Sequence, residues 1–308
     1  MQAGNGLMCL DLQFQGMPGV IASWLMPTDS GWVIIDCGPA TTIPVLERAV
    51  NDAGLEMGDI NRIVLTHIHL DHAGGSGALL QKHPHLRVTV HRDSAGILVD
   101  PSRLIRSATI SYGEAMQSLW GDIVPVDPDR IDAISPGEPV PGTALCSIAT
   151  PGHTATHLAY IHERTGILFT GDAAHARLQG SAVIVPTLSP VEVDVEAWSA
   201  TANVMEALNP TALALPHFGM VTDAVDHLGR IEERIRSRID LAQQIVRSPG
   251  DMQALADALA STTRAEYETE GGDIETKVAT MEWCMPSWLG AQGIMRWFKV
   301  HDMFPNPA

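Results

Sequence analysis

Four residues able to hold a metal ion fall within six positions in Thr66-His67-Ile68-His69-Leu70-Asp71-His72. They follow the apolar, β-branched run Arg62-Ile63-Val64-Leu65, which reads as a buried strand. In extended backbone, residues two apart point the same way, so His67 and His69 can close on one ion. Asp71 and His72 arrive where the strand gives way to a turn, and can serve a second ion. Three imidazoles and one carboxylate form a borderline-to-hard donor set suited to zinc, iron or manganese. As ordinary core side chains, several of these imidazoles would each need a separate polar partner. The glycines of Ala73-Gly74-Gly75-Ser76-Gly77 are expected to let the backbone pass close beneath an ion and turn into a helix near Ala78.

Three later stretches repeat one pattern, a strand, a small turn residue and a single ligand. Ala144-Leu145-Cys146-Ser147-Ile148-Ala149 leads to Thr150-Pro151-Gly152-His153, Gly166-Ile167-Leu168-Phe169-Thr170 to Gly171-Asp172, and Leu213-Ala214-Leu215 to Pro216-His217. Loops at strand ends open on one edge of a sheet, where rigid strands hold separate ligands in register.

With these residues the sequence resembles the metallo-β-lactamase-fold metallohydrolases over roughly residues 7–220, most closely the glyoxalase II and lactonase side of that family. The resemblance implies an α/β (α+β) fold, an αββα sandwich with two mixed sheets between helical layers. It assigns His67, His69 and His153 to a first metal and Asp71, His72 and His217 to a second, with Asp172 bridging. The implied cofactors are two divalent ions, zinc foremost, with iron or manganese as alternatives. The implied reaction is hydrolysis of an ester, lactone or thioester carbonyl by a metal-held hydroxide, with Asp71 and Asp172 as the catalytic carboxylates. No Cys occupies any of the seven positions, which speaks against antibiotic hydrolysis. A mononuclear iron oxidoreductase like the persulfide dioxygenases needs only a His-His-Asp subset, and the retained Asp71, His72 and His217 argue against it. A flavodiiron-like role would require a flavodoxin-like domain that these 308 residues do not contain. The Tyr that lactonases carry after the bridging Asp is absent here, where Ala173-Ala174-His175 follows Asp172.

The chain divides by composition into residues 1–221, a catalytic domain interrupted by a helical insertion at 93–132, and a helical extension at 222–308. Lys and Arg total 19 against 36 Asp and Glu, a net charge of −17, which repels phosphate backbones and excludes nucleic acid as a general partner. A small-molecule substrate is expected. No run approaches a membrane span, no signal peptide precedes the first strand, and four scattered cysteines form no CxxC pair, so the reading is a cytoplasmic protein with reduced thiols.

Outside the ligand set, Asp36 is expected either to fix the tautomer of a ligand imidazole or to cap a turn. His157 is expected behind the metal loop. Tyr112, on the insertion, is the candidate for touching a substrate carbonyl. His175 and Arg177 could face substrate, but are read as solvent-exposed loop residues, and His91 as structural. Helix capping near 189–194 falls to Ser189 or Asp194. The tail predicts a long charged helix after Gly219 and shorter ones near 251–261 and 273–282. Its Trp283, Trp288, Trp297 and Phe298 are read as docking the tail, with a cap over the cleft or a homodimer contact as the alternatives.

Overall fold

Apolar residues alternate between two buried faces along most strands, and that alternation builds the layers. The protein is described from a computed structural model, which covers residues 2–3, 6–188 and 192–304. Strands β1 (Gln2–Ala3), β2 (Leu7–Asp11), β3 (Ala22–Thr28), β4 (Gly31–Ile35), β5 (Ile60–Val64), β6 (Arg87–His91) and β7 (Ile131–Ile134) lie side by side in chain order. The first four pair antiparallel, and β4 to β7 pair parallel. The second sheet has β8 (Leu145–Ala149), β9 (Leu158–His162), β10 (Ile167–Phe169), β11 (Ala212–Leu215) and β12 (Gly219–Val221), with β10 and β11 parallel and the other pairs antiparallel.

In β4, Val33 and Ile35 enter the core between the sheets with Trp24, Tyr160 and Phe169, while Ile34 points to the outer face of the first sheet. In β11, Ala214 faces inward and Leu213 and Leu215 outward. Both faces of both sheets are therefore apolar and need a helical cover. The parallel crossovers supply it on the first sheet through α1 (Ile43–Asp52), α2 (Leu70–Ala73) and α3 (Ser76–Lys82), followed by the insertion helices α4 (Ala95–Val99), α5 (Ser102–Tyr112) and α6 (Met116–Trp120). On the second sheet α7 (Val195–Ala207), α8 (Ala224–Leu228) and α9 (Ile231–Ile245) pack with α10 (Met252–Glu270) and α12 (Ser287–Val300), while α11 (Ile274–Cys284) buries Met281 and Cys284 in the core of the first sheet. The result is the αββα sandwich with a helical C-terminal region. Among the described residues no helix is long and apolar enough to cross a membrane.

Several local expectations change. Asp71 and His72 lie in the one-turn helix α2 rather than a turn, and the following helix starts at Ser76. Helix α10 runs to Glu270, beyond the expected 261, because Thr263 and Tyr267 are buried by packing that outweighs their low helix propensity. Gly271 and Gly272, both at positive φ, end it, and a further helix, α12, follows Pro286. Asp194 caps α7 by accepting from Ala197 N at 2.9 Å, whereas Ser189 lies outside the described residues. Trp297 and Phe298 are buried in the tail's core, but Trp283 and Trp288 are about two-fifths exposed and line a cavity. The tail aromatics thus divide between docking and wall.

Candidate metal centre

The centre begins with Asp36, which directly follows β4 in left-handed backbone at φ 54°. Its Oδ1 accepts from Thr66 N at 2.8 Å, and its Oδ2 accepts from the Thr66 hydroxyl at 2.7 Å and from His72 Nδ1 at 2.8 Å. One buried carboxylate therefore ties the end of β4 to the loop after β5 and to α2. His67 and His69 lie between those two ties. The loop after β8 brings His153, the turn after β10 brings Asp172, and the loop after β11 brings His217. At Gly171 a Cβ would lie 2.5 Å from His157 Nε2, so only glycine lets the Asp172 turn nest against that ring. The reason for Gly77 differs from the expected one. A Cβ there would lie 1.8 Å from the Val124 carbonyl oxygen, so that glycine permits contact with the chain after the insertion helices rather than with an ion.

All seven expected ligands converge. His67 Nε2 and His153 Nε2 lie 3.0 and 2.9 Å from His69 Nδ1, and His153 Nε2 is 3.1 Å from Asp172 Oδ2. On the other side, His72 Nε2 is 3.5 Å from Asp71 Oδ2 and 3.4 Å from Asp172 Oδ1, while His217 Nε2 is 3.4 and 3.5 Å from the same two oxygens. A tetrahedral ion with bonds of about 2.1 Å sets its ligands about 3.4 Å apart, which these four separations match.

The outer nitrogens determine what the inner ones offer. His153 Nδ1 donates to the Thr187 carbonyl at 2.6 Å and His217 Nδ1 to the Val20 carbonyl at 2.7 Å. His72 Nδ1 donates to Asp36, and His67 Nδ1 to the Thr66 hydroxyl at 3.1 Å, whose own proton is committed to Asp36. In the neutral rings each Nε2 is then a lone pair directed into the centre. A single proton on His69 Nδ1 cannot fully serve both the His67 and the His153 lone pairs. His72 Nε2, His217 Nε2 and Asp172 Oδ1 are buried and have no hydrogen-bond partner among the described residues. Unpartnered buried donor atoms converging in this way carry a high cost without a cation between them. The residues present fit divalent metal ions.

The electrostatics of the two halves differ. Burial, aided by neighbouring imidazoles, holds His67 well below the usual imidazole range, and burial lowers His69 to about 3. Burial also opposes charge on His72 and His217, but carboxylates outweigh it. Asp71, Asp172 and Asp36 raise His72 well above its ordinary range, and Asp172 and Asp71 raise His217 to about 10. Burial likewise works against ionisation of Asp71 and Asp172, and the surrounding imidazoles, His72 foremost, reverse it and lower both carboxyls. The site is thus neutral imidazole on the His67 side and draws positive charge on the Asp71 side.

Other expected residues find definite places. His157 is buried with its ring 4.9 Å from His67, and its Nε2 accepts from Asp172 N at 3.1 Å, which fixes the backbone of that ligand. His175 is fully buried, not exposed. Its Nε2 donates to the Ile231 carbonyl at 3.3 Å and its ring lies 4.9 Å from Trp198, because the backbone turns at φ 66° directly under α9. Arg177 is largely covered and is committed to the half-exposed Asp223 at 3.0 Å. His91 caps its own turn by accepting from Asp93 N at 3.1 Å. Tyr112 lines the cavity above the ligands, between Trp120 and Trp288. Burial raises its phenol, with the Asp71 carboxylate adding to the shift. Thr187 was not visible from sequence. Its carbonyl holds His153 and its hydroxyl donates to the Asp172 carbonyl at 2.6 Å, yet it sits in an irregular stretch without a motif.

The family model of the metallo-beta-lactamase superfamily matches residues 16–217. The metallo-beta-lactamase fold-containing protein ST1585 of Sulfurisphaera tokodaii is 27% identical over 221 residues, 68% of this chain and 82% of that protein. Its crystal structure aligns at a TM-score of 0.65 and 21% identity, covering 96% of this chain and all of that one. An atrochrysone carboxyl ACP thioesterase of Aspergillus terreus is 21% identical over 306 residues, 92% of this chain and 82% of the relative. A hydroxyacylglutathione hydrolase of Aeromonas hydrophila is 34% identical over 149 residues, 48% of this chain and 44% of the relative.

Proposed function

Because the chain belongs to the metallo-beta-lactamase superfamily, we propose that it is a hydrolase that uses two divalent metal ions to cleave an ester, lactone or thioester bond. The observation that carries this reading is the convergence of seven side chains able to hold a metal, three of whose inner atoms, His72 Nε2, His217 Nε2 and Asp172 Oδ1, are buried without a hydrogen-bond partner among the described residues. His67, His69 and His153 would hold one ion, Asp71, His72 and His217 the other, and Asp172 both. The nitrogen-rich, thiolate-free donor set suits zinc, which we take as the resident metal. Bound divalent ions would supply Lewis acidity to a carbonyl oxygen and acidify a water near neutral pH.

The chain's own residues do the rest. Asp71 and Asp172 both line the cavity, but Asp71 is the more exposed of the two carboxylates, and it is placed to take a proton and return it to the departing alkoxide or thiolate. Asp36, Thr187 and His157 hold the ligand rings and the Asp172 turn in place before substrate arrives, so no reorganisation is required at reaction. The apolar walls exclude bulk water and strengthen each electrostatic contact within. The names of two relatives, a hydrolase and a thioesterase, agree with this reading.

The test is a panel of one small ester, one lactone and one thioester against zinc-loaded protein and its Asp172→Ala variant. Turnover of at least one member, lost in the variant, is expected. No turnover of any member, with both metal sites filled, would remove hydrolysis as the function.

A further inference from the structure

Above the ligands lies a cavity of about 700 Å³, within the roughly 300–1,000 Å³ that encloses drug-sized ligands. A two-carbon acyl group would leave most of it empty. One wall is a connected set of rings. Phe14 stacks on Trp120 at 5.3 Å and meets Trp283 edge-on at 6.1 Å, while Tyr112 meets Trp120 at 5.0 Å and Trp288 at 5.8 Å. The five come from a 3-10 turn, the insertion and two tail helices, in a chain that is only 5% aromatic. None of them touches a ligand atom through a hydrogen bond, so the metal centre does not account for their gathering. Trp283 and Trp288 remain 40% and 39% exposed on this wall, where a guest could cover them.

The charges on the lining narrow the guest further. Apart from the metal ligands, the described lining holds Arg238, which donates to Glu266 at 2.8 Å, and Glu282, which accepts from Ser287 N at 3.0 Å. Away from the metal centre the one cation of the described lining is therefore already committed, and an anionic tail lodged among the rings would enter a low-dielectric space beside Glu282 without a counter-charge of its own. Trp120 Nε1 is buried with no acceptor among the described residues, which places an unpartnered neutral donor on the ring wall.

We propose that this cavity selects an uncharged ester, lactone or thioester whose acyl part is a bulky aromatic or fused-ring body, packed among Phe14, Tyr112, Trp120, Trp283 and Trp288. The selection rests on the hydrolase reading only for the reacting carbonyl. Ring-on-ring contact and desolvation of the two exposed tryptophans supply the preference.

Two measurements separate the cavity from the chemistry. With zinc-loaded protein, 4-nitrophenyl 2-naphthoate is expected to exceed 4-nitrophenyl acetate in kcat/KM by at least about tenfold, as burial of one aromatic group implies, with the anionic mono-4-nitrophenyl succinate lowest. In Trp288→Ala, and separately in Trp283→Ala, the naphthoate-to-acetate ratio should fall by about fivefold to tenfold. The second readout is tryptophan-fluorescence quenching by the neutral ketone 2-acetylnaphthalene, which needs no turnover. Saturable binding, weakened in Trp288→Ala proteins that keep the wild-type circular dichroism, is expected. Binding of the ketone with no ester cleaved would retain the cavity assignment and remove the hydrolase reading. A naphthoate-to-acetate ratio near one, a preference for the succinate ester, or ketone binding unchanged in both variants would overturn the assignment.

Discussion

At Asp36 one carboxylate accepts from three donors, the Thr66 amide, the Thr66 hydroxyl and His72 Nδ1. The same contacts that close the loop after β5 thereby orient His72 and, through Thr66, His67. Removing such a partner typically costs about 10–100-fold in metal affinity or activity. Asp36→Ala is therefore expected to lower zinc affinity by roughly that factor while leaving the seven ligands unchanged, measured by competition against a chromophoric chelator. An unchanged affinity would show that the ligand rings need no support from behind. Thr187 makes a smaller contribution. Thr187→Val keeps the carbonyl that holds His153 and removes only the hydroxyl donated to Asp172, a loss of about 1 kcal/mol that thermal unfolding of the metal-free protein would register. That these seven side chains could gather was legible from sequence because four crowd into one run after β5 and three follow a strand and a small turn residue. His175 was misjudged because its burial depends on α9, which is distant in sequence and signals nothing at position 175.

Among the elements, the strands were readable from their period and the tail helices less so. The runs in β4, β5 and β11 are apolar on both faces, a pattern that only a doubly covered sheet explains. The end of α10 was not readable, since Thr263 and Tyr267 are weak helix formers kept helical by burial against neighbouring elements. The glycines after His72 illustrate the same limit. Sequence assigns them to the ion, whereas Gly77 is set against Val124. Gly77→Ala would force a carbonyl and a methyl group together, and destabilisation of at least about 1–3 kcal/mol is expected from such overpacking. Gly58→Ala, which has nothing within 4 Å of the added carbon and no positive φ, is the control and should unfold at the wild-type temperature or slightly above. Equal behaviour of the two variants would contradict the close approach of α3 to the chain at Val124.

For the whole molecule, the two sheets bring four strand ends to one edge, and the insertion and tail enclose the space above it. His67 and His217 are 150 residues apart in the chain, so the centre exists only in the folded state. Ions that bind the folded state alone add about 2.7 kcal/mol per site at a hundredfold excess over Kd. A chelator should accordingly lower the unfolding temperature by several degrees, and stoichiometric zinc should restore it; a transition indifferent to chelator would show that the centre holds no tightly bound ion. The central claim, that the seven side chains form two metal sites and not one, is tested most directly by metal content per chain after zinc loading and desalting, in wild type and in His217→Ala. Close to two ions are expected in wild type and close to one in the variant, because His67, His69 and His153 remain intact. One ion in both proteins would contradict it.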